Sequence, residues 1–188
     1  MHRKLTLAFA CALTVALAGT TALRAETTPE PEPTTTTTTT SEPALTQRQR
    51  QKIIDAHRHE VWRWQRLMGH PYTRKLRNPR EDLESKLAAW KRIADRMQQR
   101  AENPPHKGQW LCIHRYEGAW TSNTGNGYYG GLQMDLSFQR TYAPGLLRRK
   151  GTADRWTPLE QMWAAERAHR SGRGFYPWPN TARYCGLI

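Results

Sequence analysis

Glu117 is the residue of this sequence that is best placed for acid–base chemistry. It closes a segment in which Trp110, Ile113 and Tyr116 recur at three-residue spacing, a pattern that indicates a helix with apolar groups along one side. Gly118 follows at once and is typical of a helix C-terminus. The sequence therefore predicts a single carboxyl group at the end of a helix, with an exposed, inert glutamate as the ordinary alternative.

A polar loop rich in glycine, asparagine and tyrosine follows this acid. Residues 118–131 read GAWTSNTGNGYYGG. We expect residues 132–134 to form a short strand, at the end of which Asp135 lies. Cleavage of a glycosidic bond needs a carboxylic acid that stays protonated, and an apolar, aromatic wall favours that form because desolvation disfavours the anion. An acid beside such a loop is therefore suited to glycan chemistry.

Asp135 is the nearest acidic residue downstream of the loop. A glycoside hydrolase ordinarily uses a second carboxylate, and Asp135 is placed to supply it. It is equally suited to cap the helix that we predict from residue 136 onward. Both roles stay open.

The segment from Gly125 to Gly130 matches the G-x-G-x-x-G pattern of dinucleotide-binding folds. It follows a loop rather than a strand and opens no βαβ unit, so we expect no nucleotide to bind there. His57 and His59 form an isolated pair without a second cluster of ligands, so we expect no metal site. The sequence predicts an activity without a cofactor.

The N-terminus predicts export. Residues 2–4 are cationic, residues 5–18 are almost wholly apolar, and small residues follow up to Ala25, which is the pattern of a signal peptide over residues 1–25. The apolar run is shorter than the ~20 residues that span a bilayer. Removal of this segment lowers the net charge from +13 to about +10. A secreted protein this basic suits an anionic polymer, and export favours the cell wall over nucleic acid.

Cysteine usage agrees with export. Cys112 and Cys185 remain once the signal peptide is removed, and an even number in a small secreted domain predicts a disulfide. This bond would join the beginning of the last domain to its end. Two buried free thiols are the alternative.

The sequence predicts three further parts. Residues 26–44 are rich in Thr and Pro and lack aromatic and large aliphatic residues, so we expect a disordered spacer. Residues 45–103 carry apolar residues at three- and four-residue steps in two segments, which predicts a basic helical hairpin. This hairpin could pack on itself, on the following domain or on a partner such as another wall enzyme. Asn103 and the two prolines after it end the second helix and set off residues 104–188 as a compact domain.

Local signals also place the helices of that last domain. Residues 136–148 have a helical phase that is broken at Pro144-Gly145. Thr157 is a suitable cap for a helix that begins with a proline and an early acid, and we expect this helix to reach Ala168 or His169. The tail is irregular and would be held by Cys185.

The string EGAWTSNTGNGYYGGLQMD, followed by FQ, GTADRW, a helix carrying EQ and a terminal WP with a cysteine, resembles the resuscitation-promoting factor domain, a transglycosylase-like family of actinobacterial cell-wall proteins. The resemblance covers about Trp110 to Cys185. It implies a small lysozyme-like α+β fold and cleavage of the β-1,4 bond between N-acetylmuramic acid and N-acetylglucosamine in peptidoglycan, with Glu117 as the catalytic acid. Our candidates for sugar binding are Trp120, Asn123, Thr124, Tyr128, Tyr129, Gln133, Asp135 and Gln161.

Some features depart from that family's pattern. The segment between Glu117 and Trp120 is shorter, and Cys112 lies about one helical turn before the acid instead of directly before it. Residues 45–103 have no counterpart in the resemblance. We therefore expect a different disulfide arrangement and a different loop near Trp120.

Two functions remain open from the sequence. The first is a secreted enzyme that cleaves peptidoglycan, either as a lytic transglycosylase with Glu117 acting alone or as a lysozyme-type hydrolase with Asp135 as partner. The second is a wall-binding or growth-signalling module that binds glycan with little turnover, because aromatic groups and basic charge suit binding as well as catalysis.

Overall fold

The computed structural model describes residues 44–77 and 82–188. The predicted signal peptide and nearly all of the predicted spacer lie outside the described residues. The described chain is mostly helical with one short two-stranded sheet, which confirms the predicted α+β class. In chain order its elements are α1 (Gln47–Met68), α2 (Leu83–Glu102), α3 (Lys107–Glu117), β1 (Tyr128–Tyr129), β2 (Met134–Asp135), α4 (Leu136–Tyr142), α5 (Pro144–Lys150), a 3₁₀ turn (Ala153–Arg155), α6 (Pro158–Ala168), a π-helical segment (His169–Arg173) and α7 (Pro179–Tyr184).

The two long N-terminal helices form the predicted hairpin. Thr46 and Gln49 build a reciprocal capping box at the start of α1, which then ends at Gly69 in the left-handed conformation (φ 71°). The helices pack through a buried cluster of Ile54, Val61, Trp90 and Ala94. No helix within residues 44–77 and 82–188 is both long and apolar enough to cross a membrane.

The hairpin also packs against the C-terminal part of the chain. Met68, Ala101 and Trp163 form a second buried cluster, and the Trp163 indole N–H donates to the Ala101 carbonyl oxygen at 2.7 Å. Arg167 on α6 and Arg170 on the π-helical segment also hold the end of α1. They donate to the carbonyl oxygens of Leu67 and Met68. The described residues belong to one compact unit. The sequence left open whether the hairpin packs on itself, on the following domain or on a partner. In the structure it packs both on itself and on the following domain.

Helix α3 carries the candidate acid and is the centre of the C-terminal core. Trp110 and Ile113 are fully buried, but Tyr116 is 54% exposed, contrary to the predicted apolar side. The reason is geometric: each three-residue step turns the helix by about 300°, so two steps place Tyr116 about 120° away from Trp110. The buried residues around α3 come from α4, α5, α6 and the tail, including Met162 and Trp178.

The sheet has two strands of two residues each, and β2 begins two residues after the start of the predicted strand. β1 and β2 pair antiparallel, with Tyr128 opposite Asp135 and Tyr129 opposite Met134. The predicted strand at residues 132–134 was wrong except at Met134, because Leu132 and Gln133 belong to the turn. Gln133 has a φ of +44°, which is incompatible with a strand.

Helices α4 to α6 begin where the local signals place them. Asp135 caps α4, and Pro144 occupies the first turn of α5, so the break falls at Ala143, one residue before the predicted Pro144-Gly145. Thr157 and Glu160 form a capping box that begins α6, and α6 ends at Ala168 as predicted.

Candidate active site

Glu117 is the last residue of α3, and its side chain is half-buried. Gly118 ends the helix with a φ of 136°, a conformation that side-chain-bearing residues rarely adopt. A Cβ at this position would also lie 3.1 Å from the Ser122 hydroxyl oxygen, because the loop turns back onto the helix end there. Gly118 therefore permits both the stop and the return of the loop beside the acid.

Thr181 holds the Glu117 carboxylate in place. Its hydroxyl donates to Glu117 Oε1 at 2.8 Å, and the Thr181 residue is 8% exposed. The same hydroxyl lies 3.3 Å from the Trp178 carbonyl oxygen. A hydroxyl has a single hydrogen, so the shorter contact, to the carboxylate, is the stronger one. Nothing in the part of the chain that the structure describes hydrogen-bonds to Glu117 Oε2, which leaves this oxygen free for a ligand.

The disulfide explains how Thr181 reaches Glu117. Cys112 and Cys185 are bonded, with their Cα atoms 6.1 Å apart, which confirms the predicted bridge. Glu117 lies about one turn after Cys112 in α3, and Thr181 lies about one turn before Cys185 in α7. The disulfide and the Glu117–Thr181 hydrogen bond therefore join the two helices in antiparallel alignment, as two adjacent cross-links.

Glu166 anchors the other end of α3. This carboxylate on α6 is fully buried and accepts 2.8 Å hydrogen bonds from the His106 backbone N–H and the Trp110 indole N–H. His106 Nδ1 lies 3.2 Å from its second oxygen. Burial lowers the pKa of the adjacent His169, and the nearby His106 lowers it further, against the opposing charge of Glu166. Together with the contacts at the C-terminal end of the helix, Glu166 fixes α3 at both ends.

Gln161 lies beneath the loop and is fully buried. Its amide oxygen accepts from the Gly131 N–H at 2.8 Å, and its amide nitrogen donates to the carbonyl oxygens of Trp120, Ala153 and Trp156. A Cβ on Gly130 would collide with this amide, which accounts for the glycine at that position. The structure thus places Gln161 as an internal support of the loop, away from solvent, and not on the surface where we expected a sugar ligand.

Gln133 and Asp135 are likewise used to shape the hairpin after the loop. The Gln133 amide nitrogen donates to the Gly130 carbonyl oxygen at 2.8 Å, across a turn in which Gln133 itself has positive φ. Asp135 Oδ1 accepts from the Phe138 N–H at 2.6 Å, which gives Asp135 the capping role that the sequence left open. Its second possible role, as a catalytic carboxylate, stays a prediction.

The remaining candidates form the outer side of the loop. Asn123 and Thr124 are exposed, Tyr128 is 49% exposed, and Tyr129 is half-buried and bridges to Asn123. Trp120 is half-buried, with its ring stacked on His114 at 3.9 Å between centroids. These side chains offer polar groups and aromatic faces of the kind that sugars bind.

Three contributors to the site were not predicted from the sequence: Thr181, Glu166 and His114. The sequence holds a weak signal that Thr181 lies near α3. Thr181 precedes Cys185 by about one helical turn, and the disulfide brings Cys185 to α3. The helical phase of α6 allows Ala165 or Glu166 on its buried side but does not indicate what Glu166 binds, and His114 has no pattern that distinguishes it from a surface helix residue. Among the described residues, no group of three or more His, Cys, Asp or Glu side chains is arranged to hold a metal ion.

Part of the chain matches a known protein family. Residues 105–181 match the family model described as a transglycosylase-like domain. The matched segment is somewhat under half of the chain, and it contains Glu117, the loop, Gln161 and Thr181. The hairpin of α1 and α2 lies outside it.

Proposed function

We propose that this protein is a secreted enzyme that cleaves peptidoglycan, with Glu117 as its general acid. The bond cleaved would be the β-1,4 linkage between N-acetylmuramic acid and N-acetylglucosamine. The family match over residues 105–181 supports the reaction class. The proposal extends the match to a substrate, a bond and a residue, and it favours a domain of the resuscitation-promoting factor type acting at the cell wall.

One observation carries the assignment of Glu117. Its carboxyl group has one oxygen held by Thr181 and the other free of hydrogen bonds to the described residues. Because the Thr181 hydroxyl donates to Oε1, the proton of the acid form belongs on Oε2, the free oxygen. A ligand oxygen beside Oε2 would then meet an oriented proton donor, as general acid catalysis requires.

The reaction then needs a single carboxyl group used twice. Glu117 donates its proton to the glycosidic oxygen, and the bond between that oxygen and C1 of the muramic acid breaks. The Glu117 carboxylate next removes a proton from the 6-hydroxyl of the same sugar, and the oxygen of this hydroxyl bonds to C1. The product is a 1,6-anhydro sugar, and Glu117 is protonated again. If water replaces the 6-hydroxyl, the product is a reducing end.

The choice between these two outcomes depends on the second carboxylate. Hydrolysis is helped by an acid that stabilises the oxocarbenium-like transition state, and Asp135 is the candidate. Since Asp135 already caps α4, its geometry favours the scheme in which Glu117 acts alone. We therefore place anhydro products ahead of reducing ends.

Digestion of purified peptidoglycan, followed by mass analysis of the soluble products, tests the proposal. Glu117→Gln keeps the shape of the side chain and removes the acid, so fragment release should fall at least ~100-fold, the smaller end of what general acid catalysis contributes. Glu84→Gln, on the exposed face of α2, is the matched control and should release fragments at the parent rate.

Binding to insoluble peptidoglycan separates the enzyme from the alternative of a binding or signalling module. The Glu117→Gln protein should still sediment with the wall material. Equal fragment release by Glu117→Gln and the parent would contradict the catalytic assignment. Sedimentation of the parent without any release would favour the binding module instead.

A further inference from the structure

A large groove lies between the hairpin and the C-terminal part of the chain. It has a volume of about 1170 Å³ and is lined by the second half of α1 and by residues of α4, α5 and α6. We call it the α1–α5 groove. Glu117 and residues 118–135 are not among the residues that line it, so the groove is separate from the candidate active site.

The charged groups of this groove are strongly unbalanced. Arg63, Arg66, Arg149, Lys150 and Arg167 line it, together with a single acid, Glu160, among the described residues. Two of the cations are already paired, since Lys150 lies 2.7 Å from Glu160 and Arg63 lies 3.3 Å from Glu60. Arg66, Arg149 and Arg167 have no ion-pair partner within the described ranges. The groove therefore presents three guanidinium groups without a counter-charge.

Arg167 is the most unusual of the three because it is largely buried. Its guanidinium donates to the carbonyl oxygens of Leu67 and Tyr142, and to no carboxylate among the residues that the structure describes. Burial lowers its pKa to about 10, and the neighbouring Arg170 contributes to this shift. A desolvated cation that lacks an anionic partner is costly, and a bound anion would offset that cost.

The walls of the groove are largely apolar. They include Trp64, Leu67, Leu146, Pro158 and Leu159. The indole nitrogen of Trp64 is buried and has no hydrogen-bond partner in the part of the chain described. The fitting ligand thus combines several anionic groups with aliphatic ones.

We propose that the α1–α5 groove binds the carboxylate-rich stem peptide of peptidoglycan. This rests on the proposed function, since a chain that cleaves peptidoglycan meets this peptide throughout its substrate. The volume of about 1170 Å³ exceeds the ~300–1,000 Å³ of small-ligand sites and so suits a peptide of a few residues. The carboxylates would pair with Arg66 and Arg149 at the exposed rim, and the aliphatic groups would contact the apolar wall.

The apolar wall decides between a peptide and the other anionic polymer of cell walls, a phosphodiester chain. A chain of glycerol phosphate has negative charge but no aliphatic side groups, so it would leave Leu67, Leu146 and Leu159 uncovered. A stem peptide has both. The hairpin, which lies outside the family match, would thereby give the enzyme a second hold on its substrate.

Calorimetric titration with the N-acetylated tetrapeptide Ala–γ-D-Glu–diaminopimelate–D-Ala tests this proposal on the full chain. Arg66→Gln/Arg149→Gln should weaken binding about tenfold, which corresponds to about 1.4 kcal/mol. Both arginines are exposed, so the fold should tolerate the change. Arg92→Gln/Arg96→Gln, on the exposed side of α2 and outside the groove, removes the same charge and should leave the dissociation constant within about twofold of the parent.

Two further ligands identify the chemistry recognised. The same tetrapeptide with its carboxyl groups amidated should not bind, and a glycerol phosphate oligomer should bind equally to the groove variant and the control variant. The proposal is overturned if the parent does not bind the tetrapeptide, or if the groove and control variants bind it equally. It is also overturned if the glycerol phosphate oligomer is the ligand that depends on Arg66 and Arg149.

The Glu117→Gln protein keeps the two proposals distinguishable. It should bind the tetrapeptide with the parent affinity, because Glu117 does not line the groove. Failure of tetrapeptide binding with normal, Glu117-dependent fragment release refutes the groove alone. Intact tetrapeptide binding with release that does not depend on Glu117 refutes the catalytic assignment alone.

Discussion

Thr181→Val is the substitution that best tests how the acid is positioned. Valine keeps the volume and the β-branch of threonine but removes the hydroxyl that donates to Glu117 Oε1 at 2.8 Å. Hydrogen bonds to charged groups contribute about 1.5–3 kcal/mol. Because Glu117 is half-buried, water can replace part of this, so we expect kcat to fall roughly 10- to 100-fold, or about 1.4–2.8 kcal/mol. KM should change little, since Thr181 holds the acid and not the substrate.

Thr181→Ser is the matched control. It keeps the hydroxyl and loses one methyl group from a site that is 8% exposed, at a cost of about 0.8 kcal/mol in the free energy of unfolding. The valine variant loses the hydrogen bond to Glu117, which water replaces in part because Glu117 is half-buried. Both variants should therefore melt a few degrees below the parent, but only the valine variant should lose turnover.

Initial rates of fragment release from soluble glycan strands, at several strand concentrations, separate kcat from KM. In the Glu117→Gln background, Thr181→Val should cause no further loss, because the two residues act as a unit. If the valine and serine variants turn over within about twofold of each other, Thr181 has a structural role only and the argument for an oriented Oε2 proton is wrong.

Further predictions concern stability. The cysteines of the disulfide are separated by 73 residues, so its reduction should lower the free energy of unfolding by about 4 kcal/mol and the melting temperature by roughly 10 °C. Thermal melts with and without reductant measure this, and equal melts would contradict it. The second prediction concerns pH. Burial lowers the pKa of His70, and the charges of Arg170 and Arg100 lower it further. Burial and the neighbouring His106 lower the pKa of His169. The unfolded chain then binds more protons, so stability is full above pH ~6.5 and falls as the pH drops below that value. His70→Gln/His169→Gln should flatten this dependence of melting temperature on pH, and an unchanged slope would assign it to other groups.

The sequence predicted the elements that local signals determine. The N-cap and the early acid of α6 lie within four residues of each other, and the seams of α1 and α2 repeat over several turns, so these helices follow from short-range pattern. The disulfide followed from cysteine parity and the predicted compartment. The strands did not, because strands of two residues are too short to leave an alternating pattern.

The sequence predicted the central residue of the candidate site but not the residues that hold it in position. Glu117 stands out because a glycine stop and a distinctive loop follow it. Gln161 was misplaced because a glutamine on a helix ordinarily points to solvent, and its burial depends on a loop that folds over it from about 30 residues earlier. Glu166 and Thr181 depend on contacts across 56 and 64 residues, which no local pattern encodes.

These distant contacts have a common chemical reason under the proposed reaction. A single carboxyl group that first donates and then accepts a proton must face the same carbon atom in both steps. Rotation of this group away from that carbon would therefore slow both steps. A terminal helix residue is a poor site for such a group, because helix ends fray. Glu166 at one end of α3 and the disulfide with Thr181 at the other restrain the helix that would otherwise move the acid. The disulfide that stabilises this small domain therefore also restrains the helix that carries Glu117, so its reduction should lower stability and turnover together.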